Sequence, residues 1–155
     1  TSETFADSDR TKAPTQTQVM NYTGFDAYGN AVDQTVKTYA GVVAEANFSN
    51  IRAIHNKYDD PIAQKKGNAT ESTSILYKDI GMTVKLEKTV TTTKPEDFDV
   101  NGNALKQEQV GYVWNSALAA ADKWQITSRT KTESAYNTRE TPPVSGSATT
   151  TSKAG

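Results

Sequence analysis

Residues 97–108 carry the clearest set of side chains whose types and spacing suit metal chemistry. They read Asp-Phe-Asp-Val-Asn-Gly-Asn-Ala-Leu-Lys-Gln-Glu, which fits the calcium-loop pattern D-x-[DN]-x-[DN]-G-x5-E in full. Hard cations such as Ca²⁺ prefer oxygen ligands at this spacing, so the predicted ligands are Asp97, Asp99, Asn101 and Glu108. A plain turn is the alternative, because the preceding segment is strand-like, whereas a helix enters an EF-hand loop.

The same stretch belongs to an internal echo, in which residues 25–46 return at 98–119 with nine identities in 22 positions. Self-similarity without a gap is typical of a structural unit that is used twice. Both copies keep Phe, Asp, Gly, Asn and Ala, but the first has Gly24 and Tyr28 where the second has Asp97 and Asn101. The shared feature is therefore the turn, and any metal site is confined to the second copy.

Other groups of residues give weaker evidence for a metal-binding or catalytic site. The chain has no cysteine and one histidine, His55, so a Cys-ligated or multi-histidine metal site is excluded. Catalysis would need a cleft that gathers His55 with Asp59, Asp60 or Asp97. Adjacent acids in loops flanked by Pro or Gly are usually solvated turn residues, so we predict no enzyme activity and no cofactor other than the candidate Ca²⁺.

Composition predicts the class of fold that must position these residues. The chain has 155 residues, with 4 Leu against 11 Val and 23 Thr, and Val and Thr suit a pleated surface better than a helix. We therefore predict a mainly β protein, an antiparallel sheet or sandwich built from the duplicated hairpin unit, with a β-rich α+β fold as the alternative. The net charge of -1 gives no strong signal for nucleic acid, and no stretch is apolar enough to span a membrane.

The chain divides into an extended N-terminal arm at 1–14, one β-rich domain at 15–137, and a Ser/Thr-rich C-terminal arm at 138–155. Within the domain, residues 15–25 and 82–93 are predicted strands, the latter because Met82, Val84, Leu86 and Val90 alternate with polar residues. Residues 56–73 are predicted as a loop. After each FDxxGNA element the pattern fits either a returning strand or a capped helix, and the Val, Thr and Gly content favours the strand.

Two short resemblances accompany these patterns. The FDxxGN sequence resembles the turn of bacterial YD-type repeats, with Phe in place of Tyr, and this resemblance implies a hairpin at each copy. Residues 82–88, Met-Thr-Val-Lys-Leu-Glu-Lys, are similar to the sheet strand of single-stranded RNA phage coat proteins, which present Thr, Lys and Glu toward RNA. Those coats end in two amphipathic helices, and residues 125–155 have no such character, so the chain is not assigned to that family.

The arms and the low apolar content together predict a function. Polar arms bury too little apolar surface to fold alone, and such arms are typical of segments that become ordered against neighbouring subunits. We therefore expect a self-assembling structural subunit that binds copies of itself, in a virion as a coat, decoration or tail protein. The alternatives are an extracellular filament subunit joined by strand addition, and a carbohydrate-binding or adhesive module with Trp114 or Trp124 exposed on one face.

Overall fold

The computed structural model describes residues 1–4, 13–119, 123–136 and 147–152, the last range by its backbone. Over these residues the chain forms one antiparallel sheet in which each of nine strands pairs with the next in sequence. The strands are β1 (Ser2–Thr4), β2 (Gln16–Phe25), β3 (Ala31–Ala40), β4 (Phe48–Lys57), β5 (Glu71–Tyr77), β6 (Lys85–Thr92), β7 (Lys106–Trp114), β8 (Trp124–Ser134) and β9 (Ser147–Ser152). The predicted mainly β fold is confirmed, as a single sheet instead of a sandwich.

Both FDxxGN elements form the same turn. In turn 1 (residues 26–30), the Asp26 carboxylate accepts two backbone N–H groups and the side-chain amide of Asn30 at 2.8–2.9 Å. Turn 2 (residues 99–103) repeats each of these bonds around Asp99. A glycine with positive φ stands at the fourth position of each turn, where a side chain would be strained. The shared residues therefore encode a shared backbone conformation.

Each turn leads into a strand and not a helix, as the Val and Thr content favoured. β3 follows turn 1 directly, and β7 begins three residues after turn 2. Val32, Val36 and Tyr39, which a helix would have placed on one side, are instead divided between the two faces of the sheet, because successive side chains in a strand point in opposite directions. That the whole echo of 25–46 at 98–119 is a duplicated unit stays a prediction.

The connection between β4 and β5 was predicted as a loop, but it contains a helix, α1 (Pro61–Lys65). Asp60 caps it by accepting the N–H groups of Ile62 and Ala63, and Gly67 ends it with φ +77°. The prediction was also wrong at both ends of residues 56–73, because β4 runs to Lys57 and β5 begins at Glu71. An Asp-Pro start and a Gly stop were present in the sequence.

The two turns hold α1 between them at one end of the sheet. On the side of turn 1, the Gln64 side chain donates to Asp26 at 2.8 Å, and the Gln64 carbonyl accepts from Asn30 at 2.6 Å. On the side of turn 2, Asn68 donates to the Gly102 carbonyl at 2.8 Å. We call this end, where β2–β3, β4–β5 and β6–β7 are connected, the clamped end.

The sheet has two faces of unequal character. The strand registers place Ile51, Tyr77, Val110 and Trp124 on one face, which we call the front face. Four of the buried strand residues belong to this face, namely Thr17, Tyr39, Ile51 and Val110. Thr38 is the buried strand residue of the other, back face among the described residues. No second layer of described residues covers either face, so most strand side chains are half-buried.

The predicted arms contain the two outer strands. β1 lies in the N-terminal arm and pairs with Gln16–Gln18 of β2, and β9 lies in the C-terminal arm and pairs with Arg129–Ser134 of β8. Residues 5–12, 137–146 and 153–155, which complete the arms and the predicted domain boundary at 137, lie outside the described residues. The described parts of both arms therefore extend the sheet of their own chain.

Candidate functional site

Front-face side chains of β6, β7 and β8 form a cluster of aromatic rings and ammonium groups, which we call the ring–lysine cluster. Trp114 and Trp124 face each other across the β7–β8 pair, with ring centroids 5.0 Å apart and planes at 73°. The Lys85 ammonium lies 4.6 Å from the centre of the Trp114 ring. The Lys88 ammonium lies 4.4 Å from the Tyr112 ring and 4.9 Å from the Trp124 ring.

Lys88 lies between Leu86 and Val90, where the alternation of the predicted strand at 82–93 would place an apolar residue, and its surroundings explain why a lysine stands there. β6 is shorter than predicted and begins at Lys85, and a register shift between Leu76 and Tyr77 leaves Leu86 within it without a partner in β5. Lys88 therefore shares the front face with Val90, where its stem lies along apolar surface and its charge rests between two rings. Cation–π contact makes a lysine acceptable at a position that the pattern reserves for an apolar residue.

The geometry of the ring–lysine cluster favours a structural role. Both tryptophans are half-buried, touch each other edge to face, and carry lysine ammonium groups over their rings. A sugar-binding platform presents an open ring face to the ligand, which here would first have to displace a lysine. The lysines instead shield apolar rings from water on a face that no second layer of described residues covers.

The structure divides the four predicted Ca²⁺ ligands between two places. Asp99 and Asn101 lie in turn 2, where both Asp99 carboxylate oxygens already accept hydrogen bonds. Asp97 and Glu108 line a cavity of about 310 Å³ that also contains three lysines, Lys94, Lys106 and Lys131. Within the described ranges, no group of three or more His, Cys, Asp or Glu side chains is placed to hold a metal ion. The Ca²⁺ site stays a prediction.

Hydrogen bonding lowers the pKa of both turn aspartates. At Asp26, desolvation opposes ionisation, but the bonds from Asn30 and Gln64 outweigh it and lower the pKa to about 2. At Asp99, the backbone N–H and then the side chain of Asn103 lower the pKa, and desolvation opposes them. These carboxylates remain ionised through ordinary pH, which suits a turn that needs an acceptor and does not suit a general acid.

The residues considered for catalysis are not brought together. His55 Nδ1 lies 2.7 Å from Asp33 Oδ1 on the front face, and both side chains are about half exposed. Asp60 caps α1, and Asp59 lies beside Thr70 at the clamped end. The pair of His55 and Asp33 was not anticipated, because the register that places them opposite each other depends on the β3–β4 pairing.

Sequence reasoning also missed the cluster around Lys85 and Lys88 and the contacts of α1. The tryptophans were recognised as candidates, but their lysine neighbours belong to another strand, and cross-strand register is not readable from spacing along one strand. The signal that was available was the lysine that interrupts an apolar alternation.

The chain matches no protein-family model, no curated protein and no solved structure. No helix in the described ranges is long and apolar enough to cross a bilayer.

Proposed function

We propose that this chain is a structural subunit that assembles with copies of itself and has no catalytic role. The observation that carries the proposal is the single-layer sheet: only four apolar side chains, Tyr39, Ile51, Ala63 and Val110, are buried among the described residues. A sheet is normally stabilised by burying at least one face against another layer. A neighbouring subunit supplies that layer here.

The end of the sheet opposite the clamped end supports the same proposal. Its β3–β4 and β5–β6 connections expose apolar side chains, each about half accessible, at Val42, Val43, Ile80, Met82 and Val84. The clamped end, by contrast, is held by polar contacts between the turns and α1. Apolar side chains gathered at exposed loops are typical of contact surfaces between proteins.

The favoured setting is a virion, where the chain would serve as a coat, decoration or tail component. The alternative setting is an extracellular filament joined by strand addition, for which the edge strands of the sheet are suited. An adhesive module that binds carbohydrate through Trp114 or Trp124 has less support, because lysines cover these rings.

The test is the mass of the purified chain in solution, measured by light scattering during size-exclusion chromatography over a hundredfold range of concentration. We expect a mass above the monomer value of 16.8 kDa that rises with concentration. A monomer at every concentration would overturn the proposal. Negative-stain images of the assembled fraction then separate closed particles from filaments.

A further inference from the structure

A polar cavity of about 260 Å³ lies on the back face of the sheet, at the clamped end. Strand register places Asn56, Ser72 and Thr91 side by side on this face, in three neighbouring strands. The β4–β5 and β6–β7 connections line the other sides, with Tyr58 and Phe98 among their residues. Cavities for drug-sized ligands measure roughly 300–1,000 Å³, so this one suits a smaller molecule, such as a single sugar ring.

This cavity is uncharged. None of the described residues that line it is an acid or a base. The cavity of about 310 Å³ at the same end is instead lined by six charged side chains, those of Lys94, Asp97, Lys106, Glu108, Lys131 and Glu133. Burying an ionised ligand without an opposite charge is costly, so the uncharged cavity favours a neutral occupant.

The cavity also offers hydrogen-bonding groups that the protein holds in place without using them fully. One amide N–H of Asn68 donates to a carbonyl of turn 2 at 2.8 Å, and one of Gln107 donates to the Thr93 hydroxyl at 3.1 Å. No described residue bonds to the side-chain carbonyl oxygens of these two amides, or to the hydroxyls of Ser72 and Thr91. An apolar occupant would leave these groups unpaired, whereas each hydroxyl of a sugar both donates and accepts.

Two half-buried rings supply the apolar part of the wall. The Tyr58 hydroxyl donates to the Ala31 carbonyl at 3.1 Å, and Phe98 is held by a β-bridge to Ala104. Sites for small molecules typically combine apolar walls with a few fixed polar groups, and the C–H surface of a sugar ring packs against aromatic rings.

We propose that this cavity binds one neutral sugar residue, either a free monosaccharide or the end of a glycan. The sugar hydroxyls pair with the amides of Asn68 and Gln107 and with the hydroxyls of Ser72 and Thr91. The site lies on the opposite face of the sheet from the ring–lysine cluster, and it does not depend on self-assembly.

Saturation-transfer NMR with single sugars tests the proposal. The probes are glucose, galactose, mannose and N-acetylglucosamine, with N-acetylneuraminic acid as the charged comparison. We expect transfer to at least one neutral sugar and none to the charged one, because the cavity contains no cation. No transfer to any neutral sugar, or equal transfer to the charged one, overturns the proposal.

A glycan array distinguishes the two sources of the sugar. Retention of the chain on glycans that end in the bound sugar identifies a glycan as the ligand. Binding of the free sugar without retention identifies a monosaccharide. Both results support a sugar site.

Matched variants locate the site. Thr91→Val keeps the shape of the side chain and removes one hydroxyl from the cavity, so we expect the Kd of the bound sugar to rise roughly two- to tenfold. Ser72→Leu fills part of the cavity and should abolish binding. The control is Thr89→Val, which makes the same change on the same strand and face but outside the cavity, and should bind like the wild type.

Circular dichroism first shows that each variant is folded, and if Ser72→Leu is not, the pair of threonine variants decides. A Kd that Thr91→Val and Thr89→Val change equally, or that a folded Ser72→Leu leaves unchanged, overturns the site. An assembled chain that binds no sugar overturns this site alone, and a monomer that binds sugar overturns the proposed function alone.

Discussion

Thr17 is a buried polar side chain that makes no hydrogen bond to any described residue. It lies on the front face opposite Tyr39, is 1% exposed, and its hydroxyl has no partner. A hydroxyl that gives up water without gaining a partner lowers the free energy of unfolding by about 1–3 kcal/mol. The position therefore favours a residue of the same shape without the oxygen.

We predict that Thr17→Val raises the free energy of unfolding by about 1 kcal/mol, because valine keeps the shape and the strand preference of threonine. Urea unfolding followed by circular dichroism measures the change. The control is Thr127→Val at an exposed position of β8, where we expect a change within about 0.5 kcal/mol. A loss of stability in Thr17→Val alone would mean that the hydroxyl has a partner in solution.

Asp99 has two proposed roles that can be separated. Its hydrogen bonds hold turn 2, and it is also one of the predicted Ca²⁺ ligands with Asp97, Asn101 and Glu108. The first role is repeated by Asp26 in turn 1, where no ligand set accompanies it.

We predict that Asp99→Ala and Asp26→Ala both lower stability without calcium, because each removes the acceptor of the same turn. The loss should be larger for Asp26→Ala, which also removes the bond from the Gln64 side chain of α1. Titration calorimetry with CaCl₂ tests the second role. Binding heat in the wild type and in Asp26→Ala, absent in Asp99→Ala, would support the site. The absence of heat in the wild type would end the Ca²⁺ prediction and leave the turn as the role of this aspartate.

At the scale of elements, the backbone of α1 packs closely against Gly102 of turn 2. A Cβ atom added at Gly102 would lie 2.9 Å from the Ile62 carbonyl oxygen and 3.0 Å from the Ala63 backbone. Gly29, the equivalent residue of turn 1, has the same positive φ and no atom within 4 Å of an added Cβ. The two glycines thus share a backbone conformation and differ in what approaches them.

We predict that Gly29→Ala lowers the free energy of unfolding by about 1–2 kcal/mol, the cost of a left-handed backbone with a side chain. Gly102→Ala should lower it by about 1–3 kcal/mol more, because the neighbouring atoms belong to the backbone of α1 and cannot rotate away. Equal losses in chemical denaturation would mean that α1 does not hold its place against turn 2 in solution.

The elements differ in how far the sequence predicts them. β2 and the turns were predictable, because local alternation and an Asp-x-x-Gly-Asn turn specify them without reference to other strands. α1 had readable start and stop residues, Asp60 and Gly67, but without an apolar stripe it did not stand out. The neighbours of Lys88 depend on cross-strand register, which cannot be read from one strand alone. The number of layers depends on whether another element covers the sheet, and no single segment of the sequence specifies that.

For the whole molecule, three carboxylates with a lowered pKa predict how stability responds to acid. The pKa values of Asp26, Asp79 and Asp99 are lowered in the folded state, that of Asp26 to about 2. A lowered carboxyl pKa contributes stability that is fully present above the unfolded value of about 4 and is lost as pH falls toward the folded value. Their contribution should therefore be constant from neutral pH to about 4 and decline below it.

We expect the urea midpoint, measured from pH 7 to pH 2, to fall steeply only below about pH 4. Asp26→Asn keeps the shape of the side chain without the titrating group, so its midpoint should fall less steeply over the same range. A parallel fall in wild type and variant would show that the acid response originates elsewhere in the chain.

The order of the strands has a consequence for how the molecule is made. Every strand pairs with its neighbour in sequence, so the contact order is low for an all-β protein, and closing each hairpin does not wait for a distant segment. Such a chain can acquire structure progressively from its N-terminus during synthesis, with the growing edge accepting each new strand as it emerges. Because each strand pairs only with its sequence neighbours, evolution can also add or remove whole hairpins at an edge without changing the pairing of the other strands.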